Sequence, residues 1–233
     1  MLVNGPLDWS SIDLVVFDLD GTLYSQPRMR AAMLAKIAMA SVGARSLAIP
    51  STLRVFRQAR ESLAEAATSD FLRRQYDMTA RKLGTSPDAV RALIDEWIER
   101  RPLSVIGKCV YPGVRPVFAA LRDAGIRIAV LSDYPATDKL RAMGLRADLV
   151  VWAGDPGVGF LKPHPAGLLR ILDVTGAGIG RAVMVGDRLD RDWKAAEQVG
   201  MRTLLRSRRP VASVDTFRTY RDEPFGQLLQ GVG

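Results

Sequence analysis

Apolar residues follow two rhythms along the chain. The first is a set of short unbroken runs: LVVF (14–17), IRIAVL (126–131), LVVWA (149–153), AVMV (182–185) and RTLL, which ends near Leu205. The first four are closed by small or acidic residues, in turn Asp18, Ser132, Gly154 and the pair Gly186-Asp187. Short, continuous apolar runs predict strands buried on both faces, as in a parallel sheet. The second rhythm is helical and fills the gaps. Pro112-Gly113 opens a segment with Val117, Phe118 and Leu121 on one face, which stops at Gly125. Further helical patterns run from Pro135 to Gly144, over 164–175 and over 190–200. Strands alternating with helices predict a doubly wound α/β sheet.

Residues 25–101 break that alternation. They carry almost no strand signal and about four helical patterns. The clearest places Val90, Leu93, Ile94, Trp97 and Ile98 on one face, behind Ser86-Pro87 as cap and first-turn residue. Another sets Met29, Met33 and Ile37 four residues apart, and both stripes read as helix-bundle core. A helical domain over 25–101 thus interrupts an α/β domain made of 1–24 and 102–233. Emerging after the first strand, it sits near the carboxyl edge of the sheet, the position of a lid.

Composition narrows the class. The 233 residues are 48% hydrophobic and 25% charged, enough apolar material for a real core, and no apolar run approaches bilayer length. The opening MLVNGPLDWSSIDL lacks the basic start and apolar centre of a signal peptide. Cys109 is the only cysteine, so no internal disulfide forms and a reducing, cytoplasmic location is expected. The net charge of +8 suits either a nucleic-acid partner or anionic small substrates. Its basic residues are scattered except around Arg202, Arg206, Arg208 and Arg209, with no interleaved aromatics, which argues against nucleic acid.

Four strand ends carry polar groups suited to phosphate chemistry. In Asp18-Leu19-Asp20-Gly21-Thr22-Leu23, side chains two apart on an extended segment face one way, and Gly21 lets the chain turn sharply. Ser132-Asp133 ends the second strand and, alone, reads as a helix cap. Lys162-Pro163 follows a loop containing Gly154, Gly157 and Gly159. In the segment from Gly186 to Asp192, the acids Asp187, Asp190 and Asp192 suggest a divalent cation site.

In order and placement these four segments resemble the motifs of the haloacid dehalogenase superfamily: DLDGT, hydrophobic-Ser-Asp, Lys-Pro and GD-x4-D. The resemblance covers roughly 10–24 and 105–206, and the helical insert matches that family's C1 cap. It implies a Rossmann-like sheet of order 3-2-1-4-5 or an extension of it, and a phosphatase working through an aspartyl-phosphate. Asp18 would be the nucleophile and Asp20 the acid, then base. Ser132 would bind a phosphoryl oxygen, and Lys162 would offset negative charge. Mg²⁺ would be held by Asp18, Asp20 through its backbone carbonyl, and Asp187, with Asp192 supporting directly or through water. The family's dehalogenases usually lack the second acid, so Asp20 favours phosphate over halide.

The cap selects the substrate, and its sequence is less explicit. Tyr24 and Arg28 lead toward it and are substrate-contact candidates, together with Leu19 and Asp133. Arg73-Arg74 reads as a solvated helix face in preference to an anion site. Asp190 reads as a capping group, and His164, the only histidine, as structural. The expected substrate is a small phosphate ester. The alternatives are a phosphomutase-like or carbon–halogen or carbon–phosphorus bond-cleaving enzyme, for which Lys36 and Lys82 are the cap lysines a Schiff base would need, and a non-catalytic binding protein. Nothing in the sequence indicates an oligomeric state.

Overall fold

In the computed structural model, which describes residues 4–43 and 47–230, the apolar runs form strands because both of their faces are covered. These are β1 (Leu14–Asp18), β2 (Arg127–Ser132), β3 (Leu149–Trp152), β4 (Ala182–Gly186) and β5 (Arg202–Arg206). On one face Val15, Phe17, Ile128, Val130, Val183 and Val185 pack on α6 (Val114–Asp123) and α10 (Phe225–Gln230). On the other, Leu14, Val16, Ala129, Leu131 and Met184 pack on α8 (Ala166–Thr175) and α9 (Lys194–Glu197). Alternate residues therefore serve opposite cores, and no polar position is spared in β1, which is buried throughout.

All pairings are parallel, in the order β3-β2-β1-β4-β5-β6, the expected order extended by one strand. The added strand, β6 (Asp215–Phe217), has no apolar run to announce it. It is held partly through a buried carboxylate: Asp215 accepts from Arg202 Nε at 2.8 Å and from the Asn4 amide at 3.0 Å. Two members of the basic patch thus have structural partners, since Arg206 lies 3.6 Å over the Tyr111 ring.

Between β1 and β2 come α1 (Gln26–Gly43), α2 (Ala48–Glu65), α3 (Phe71–Leu83), α4 (Pro87–Ile94) and α5 (Leu103–Ile106). Residues 44–46 of the expected helical domain, and 1–3 of the opening stretch, lie outside the described residues. Ser86 caps α4 by accepting from the Ala89 amide at 3.1 Å, with Pro87 in the first turn. Met33, Leu53, Phe56, Tyr76, Val90, Ile94 and Trp97 form a separate core for these helices. The outgoing and returning chains are hydrogen-bonded to each other, Ser25 N to Cys109 O at 2.9 Å and Tyr111 N to Leu23 O at 3.1 Å. Ile106, at the end of α5, is packed with Phe17 and Phe118 in the sheet's core.

The segment expected to be one helix over 190–200 is instead a π-helical turn, Leu189–Trp193, running into α9. Another such turn, Asp95–Arg100, extends α4. Both widened turns border the region described next, where π-turns are often found.

Candidate active site

The register brings three strand ends together. Asp18 pairs with Leu131, one residue before Ser132, and Phe17 pairs with Val185, one before Gly186. Asp18 therefore lies at the point where the chain leaves β1 for opposite sides of the sheet, the usual binding crevice of an open α/β fold. Gly21 turns the chain away at φ +99°, and a Cβ there would stand 2.2 Å from Asp187 Oδ2. Both its conformation and its space require glycine. The turn carries Thr22 back, so that its hydroxyl donates to Asp18 Oδ2 at 2.9 Å.

Lys162 is buried between two carboxylates, with Nζ 2.5 Å from Asp18 Oδ1 and 2.6 Å from Asp192 Oδ1. Its main chain is fixed as well: the amide donates to Asp133 Oδ1 at 3.1 Å, and the carbonyl accepts from Arg191 Nη1 at 2.8 Å. The other Asp192 oxygen accepts from the amides of Asp187 and Arg188, both at 3.0 Å. Asp192 thus shapes the loop that presents Asp187, with both of its oxygens already engaged. Carboxylate oxygens of Asp18, Asp187 and Asp192 lie within 4.8 Å of one another.

Burial holds the Asp18 carboxyl well above the usual carboxylate range, and Asp192 adds to this while Lys162 opposes it. Asp187 is pushed up to about 6, again by burial first and then by Asp192. Burial pulls the Lys162 ammonium down, but Asp18 and Asp192 outweigh it and raise its pKa well above normal. Three carboxylates thus share one ammonium. The surplus negative charge and the all-oxygen donor set fit a hard divalent cation such as Mg²⁺, with Asp187 the side chain least committed elsewhere.

Asp20 is turned from this cluster. Its carboxylate accepts from the Tyr24 hydroxyl and lies 3.7 Å from Lys139 Nζ of α7 (Thr137–Ala142). Ser132 is buried at the end of β2, where its hydroxyl accepts from the Tyr134 amide at 3.1 Å. Over these groups lies a cavity of about 360 Å³, lined among others by Asp18, Asp20, Tyr24, Lys139, Lys162 and Asp187. Met29, Met33, Ile37, Trp97 and Ile98 also line it, so both apolar stripes read as bundle core are cavity wall too.

The remaining sequence candidates fall elsewhere. The Leu19 side chain is fully buried in the sheet's core, which leaves only its backbone to the site. Arg28 is exposed and is not among the lining residues, whereas Arg30, two positions on, is. Arg73 is bound to Asp70 and Asp77 on the surface, and Arg74 is exposed. Lys36 and Lys82 bond Ser104 and Gln58 outside the cavity lining. Asp190 pairs with Arg188 at 2.6 Å, and His164 stacks on Phe160 and accepts from the Ala166 amide.

Sequence reasoning missed several cavity groups. Thr22, which touches Asp18 from beside the cavity, has no signal of its own within its motif. On α2, Arg60 donates to the Asp133 carbonyl and lies 3.7 Å over the Tyr134 ring. The next residue, Glu61, pairs with Arg188 at 3.0 Å and with Arg191. One turn of α2 therefore reaches the loops after both β2 and β4. The sequence signal, a charged face on an amphipathic helix, is common to most surface helices.

The sequence profile described as haloacid dehalogenase-like hydrolase matches residues 12–200. Phosphoglycolate phosphatase of Rhodospirillum rubrum is 29% identical over 232 residues, covering 94% of this chain and 90% of its own. Glyceraldehyde 3-phosphate phosphatase of Methanopyrus kandleri is 27% identical over 203 residues, 83% of either chain. In fold, the crystal structure of the defluorinating L-2-haloacid dehalogenase Rha0230 superposes with a TM-score of 0.67 at 20% identity, covering 96% of this chain and 99% of that one. No helix among the described residues is long and apolar enough to cross a membrane.

Proposed function

The chain belongs to the haloacid dehalogenase-like hydrolases, and from that premise we propose that it is a Mg²⁺-dependent phosphomonoesterase acting on small phosphorylated metabolites through an aspartyl-phosphate at Asp18. The observation that carries this reading is the pairing of two differently placed carboxylates. Asp18 sits in the Lys162–Asp187–Asp192 cluster, while Asp20 faces the cavity beside Tyr24 and Lys139. Its relatives' names, phosphoglycolate and glyceraldehyde 3-phosphate phosphatase, point the same way.

In this mechanism an Asp18 oxygen attacks phosphorus while the bond to the leaving oxygen breaks, and Asp20 gives that oxygen a proton. Asp20 then takes a proton from the water that attacks phosphorus, and the Asp18–phosphorus bond breaks to release phosphate. Lys162 holds Asp18 in position and offsets charge on the phosphoryl group, and Thr22 fixes the second Asp18 oxygen. Ser132 would bind a phosphoryl oxygen. When bound between Asp18, the Asp20 carbonyl and Asp187, Mg²⁺ would screen the repulsion between carboxylate and phosphate. Asp192 would support it indirectly through the Asp187 loop and Lys162.

We take residues 1–24 and 102–233 as the catalytic domain and 25–101 as a cap over it, in a cytoplasmic enzyme. A dehalogenase would have no use for a proton donor at Asp20, so the superposition with one speaks to fold rather than reaction. The test is phosphate release from p-nitrophenyl phosphate and a metabolite panel, with Mg²⁺ or chelator, for the wild type and Asp18→Asn. Metal-dependent release lost in the variant is expected; activity that survives Asp18→Asn would sink the mechanism.

A further inference from the structure

Around the cavity most charges are balanced within the protein. Lys162 is shared by Asp18 and Asp192, Lys139 faces Asp20, and Arg188 and Arg191 are held by Glu61. Arg60 is taken up by the Asp133 carbonyl and the Tyr134 ring, and Glu99 faces Lys139 and Arg60. Arg57 is the exception. It lies one turn before Arg60 on α2 and lines the cavity, yet makes no hydrogen bond or ion pair to a described residue.

Arg30 of α1 lines the same cavity, and its side chain donates to a neutral group, Gln26 Oε1, at 2.7 Å. Burial lowers the pKa of the Arg57 guanidinium, and Arg30 depresses it further, although Tyr134, Tyr24 and Asp20 act in the opposite sense. Two solvent-accessible guanidiniums that line one cavity, neither of them paired with a carboxylate among the described residues, form an arrangement that an anion would complete. A guanidinium's fork of donors suits a carboxylate or phosphate held by two hydrogen bonds.

The rest of the wall shows what accompanies that anion. Met29, Met33, Ile37, Leu53 and Trp97 present apolar surface to the same space. At about 360 Å³ the cavity falls at the small end of those that enclose organic ligands, roughly 300–1,000 Å³, and so leaves room beyond a phosphoryl group. We propose that Arg57, with Arg30, forms a subsite for a carboxylate on the leaving group, and that the preferred substrates are phosphate monoesters bearing this carboxylate on an apolar body. The inference rests on the phosphomonoesterase reading and adds the class of alcohol released.

Phenyl phosphate and 4-carboxyphenyl phosphate share a ring and have similar leaving groups, but only the second carries the carboxylate. For the wild type, kcat/KM for the carboxylated ester should exceed that for phenyl phosphate by roughly tenfold or more, the worth of a charge-assisted hydrogen bond. The ratio should fall toward one in Arg57→Met, recover in part in Arg57→Lys, and keep its wild-type value in Arg54→Met, a change at an exposed α2 residue outside the cavity lining. A wild-type ratio near one, or a ratio that survives Arg57→Met, would overturn the subsite.

Calorimetry with benzylphosphonate and 4-carboxybenzylphosphonate, in the presence of Mg²⁺, separates the two levels of the argument. A preference for the carboxylated phosphonate that is lost in Arg57→Met supports the subsite even if neither ester is hydrolysed, a result that would count against the proposed reaction alone. Equal binding of the two phosphonates, or binding of neither, would overturn the subsite.

Discussion

Replacing Lys162 with Met keeps the apolar stem but removes the ammonium shared by Asp18 and Asp192. The three side chains are no more than 8% exposed, so water cannot take over its role. Deleting one partner of a buried ion pair costs about 3–5 kcal/mol, because the remaining charge stays desolvated. Here two carboxylates are orphaned, which places the loss near the top of that range, about 4–5 kcal/mol. For a protein of this size each kcal/mol lowers the melting temperature by about 2–4 °C, so the variant should melt about 8–20 °C below wild type in chelator at neutral pH. Adding Asp192→Asn removes one orphaned charge, while its amide oxygen can still accept from the Asp187 and Arg188 amides. The double variant should therefore be more stable than Lys162→Met alone by about 2 kcal/mol, a coupling of the size seen between contacting groups. Mg²⁺ should raise the melting point of Lys162→Met by binding the folded state. A single variant that melts within about 2 °C of wild type, or a double variant less stable than the single, would refute this electrostatic account.

Glu99 is half-buried, and this desolvation raises its pKa, with Lys139 partly opposing; its folded-state value lies above its unfolded one, so its penalty is absent in acid and grows as pH rises through the carboxylate range. Glu99→Gln should therefore raise the melting temperature relative to wild type at pH values near 8 by about 2–4 °C per kcal/mol relieved, with the difference vanishing near pH 4; a difference independent of pH would contradict the assignment. Gly21→Ala places a Cβ 2.2 Å from Asp187 Oδ2 at φ +99°, and should cost about 1–3 kcal/mol of stability and about a hundredfold in turnover through the displaced carboxylate. Melting and Mg²⁺ titration of p-nitrophenyl phosphate hydrolysis check both, and an unchanged Mg²⁺ dependence would count against the placing of Asp187. Glu61→Ala breaks the tie from α2 to Arg188 and Arg191; since Glu61 is half exposed, the stability loss should be about 1 kcal/mol or less, with the effect appearing as a several-fold rise in KM that high salt mimics in the wild type. A KM unaffected by either change would mean that the tie does not hold the helices over the site.

The sheet was legible because burial on both faces writes itself as unbroken apolar runs, and every such run became a parallel strand. β6 was not, because its place depends on a tertiary pairing, Asp215 with Arg202, that no local pattern encodes. The polar groups at the strand ends were legible for the same reason the strands were: register brings Asp18, Ser132 and Asp187 to one edge once the order is known. What covers that edge was not. Met29, Met33 and Ile37 have the spacing of core residues whether they face another helix or an open cavity, and period alone cannot separate the two. Arg57, Arg60 and Glu61 lie within five residues of one helix, yet Arg57 lines the cavity without an ion pair to any described residue while the others anchor to separate loops. That division of labour depends on where α2 lies against the sheet, which is set by packing rather than by local sequence.

The central claim is a covalent phosphoryl intermediate on Asp18. Turnover of a phosphate ester with Mg²⁺ can be quenched with borohydride, which reduces an aspartyl-phosphate to homoserine, and the digested chain read by mass spectrometry. The account predicts homoserine at position 18 alone, dependent on substrate and absent in chelator. Metal-dependent turnover that leaves Asp18 unreduced while another residue, Asp20 or Asp187, is converted would contradict it.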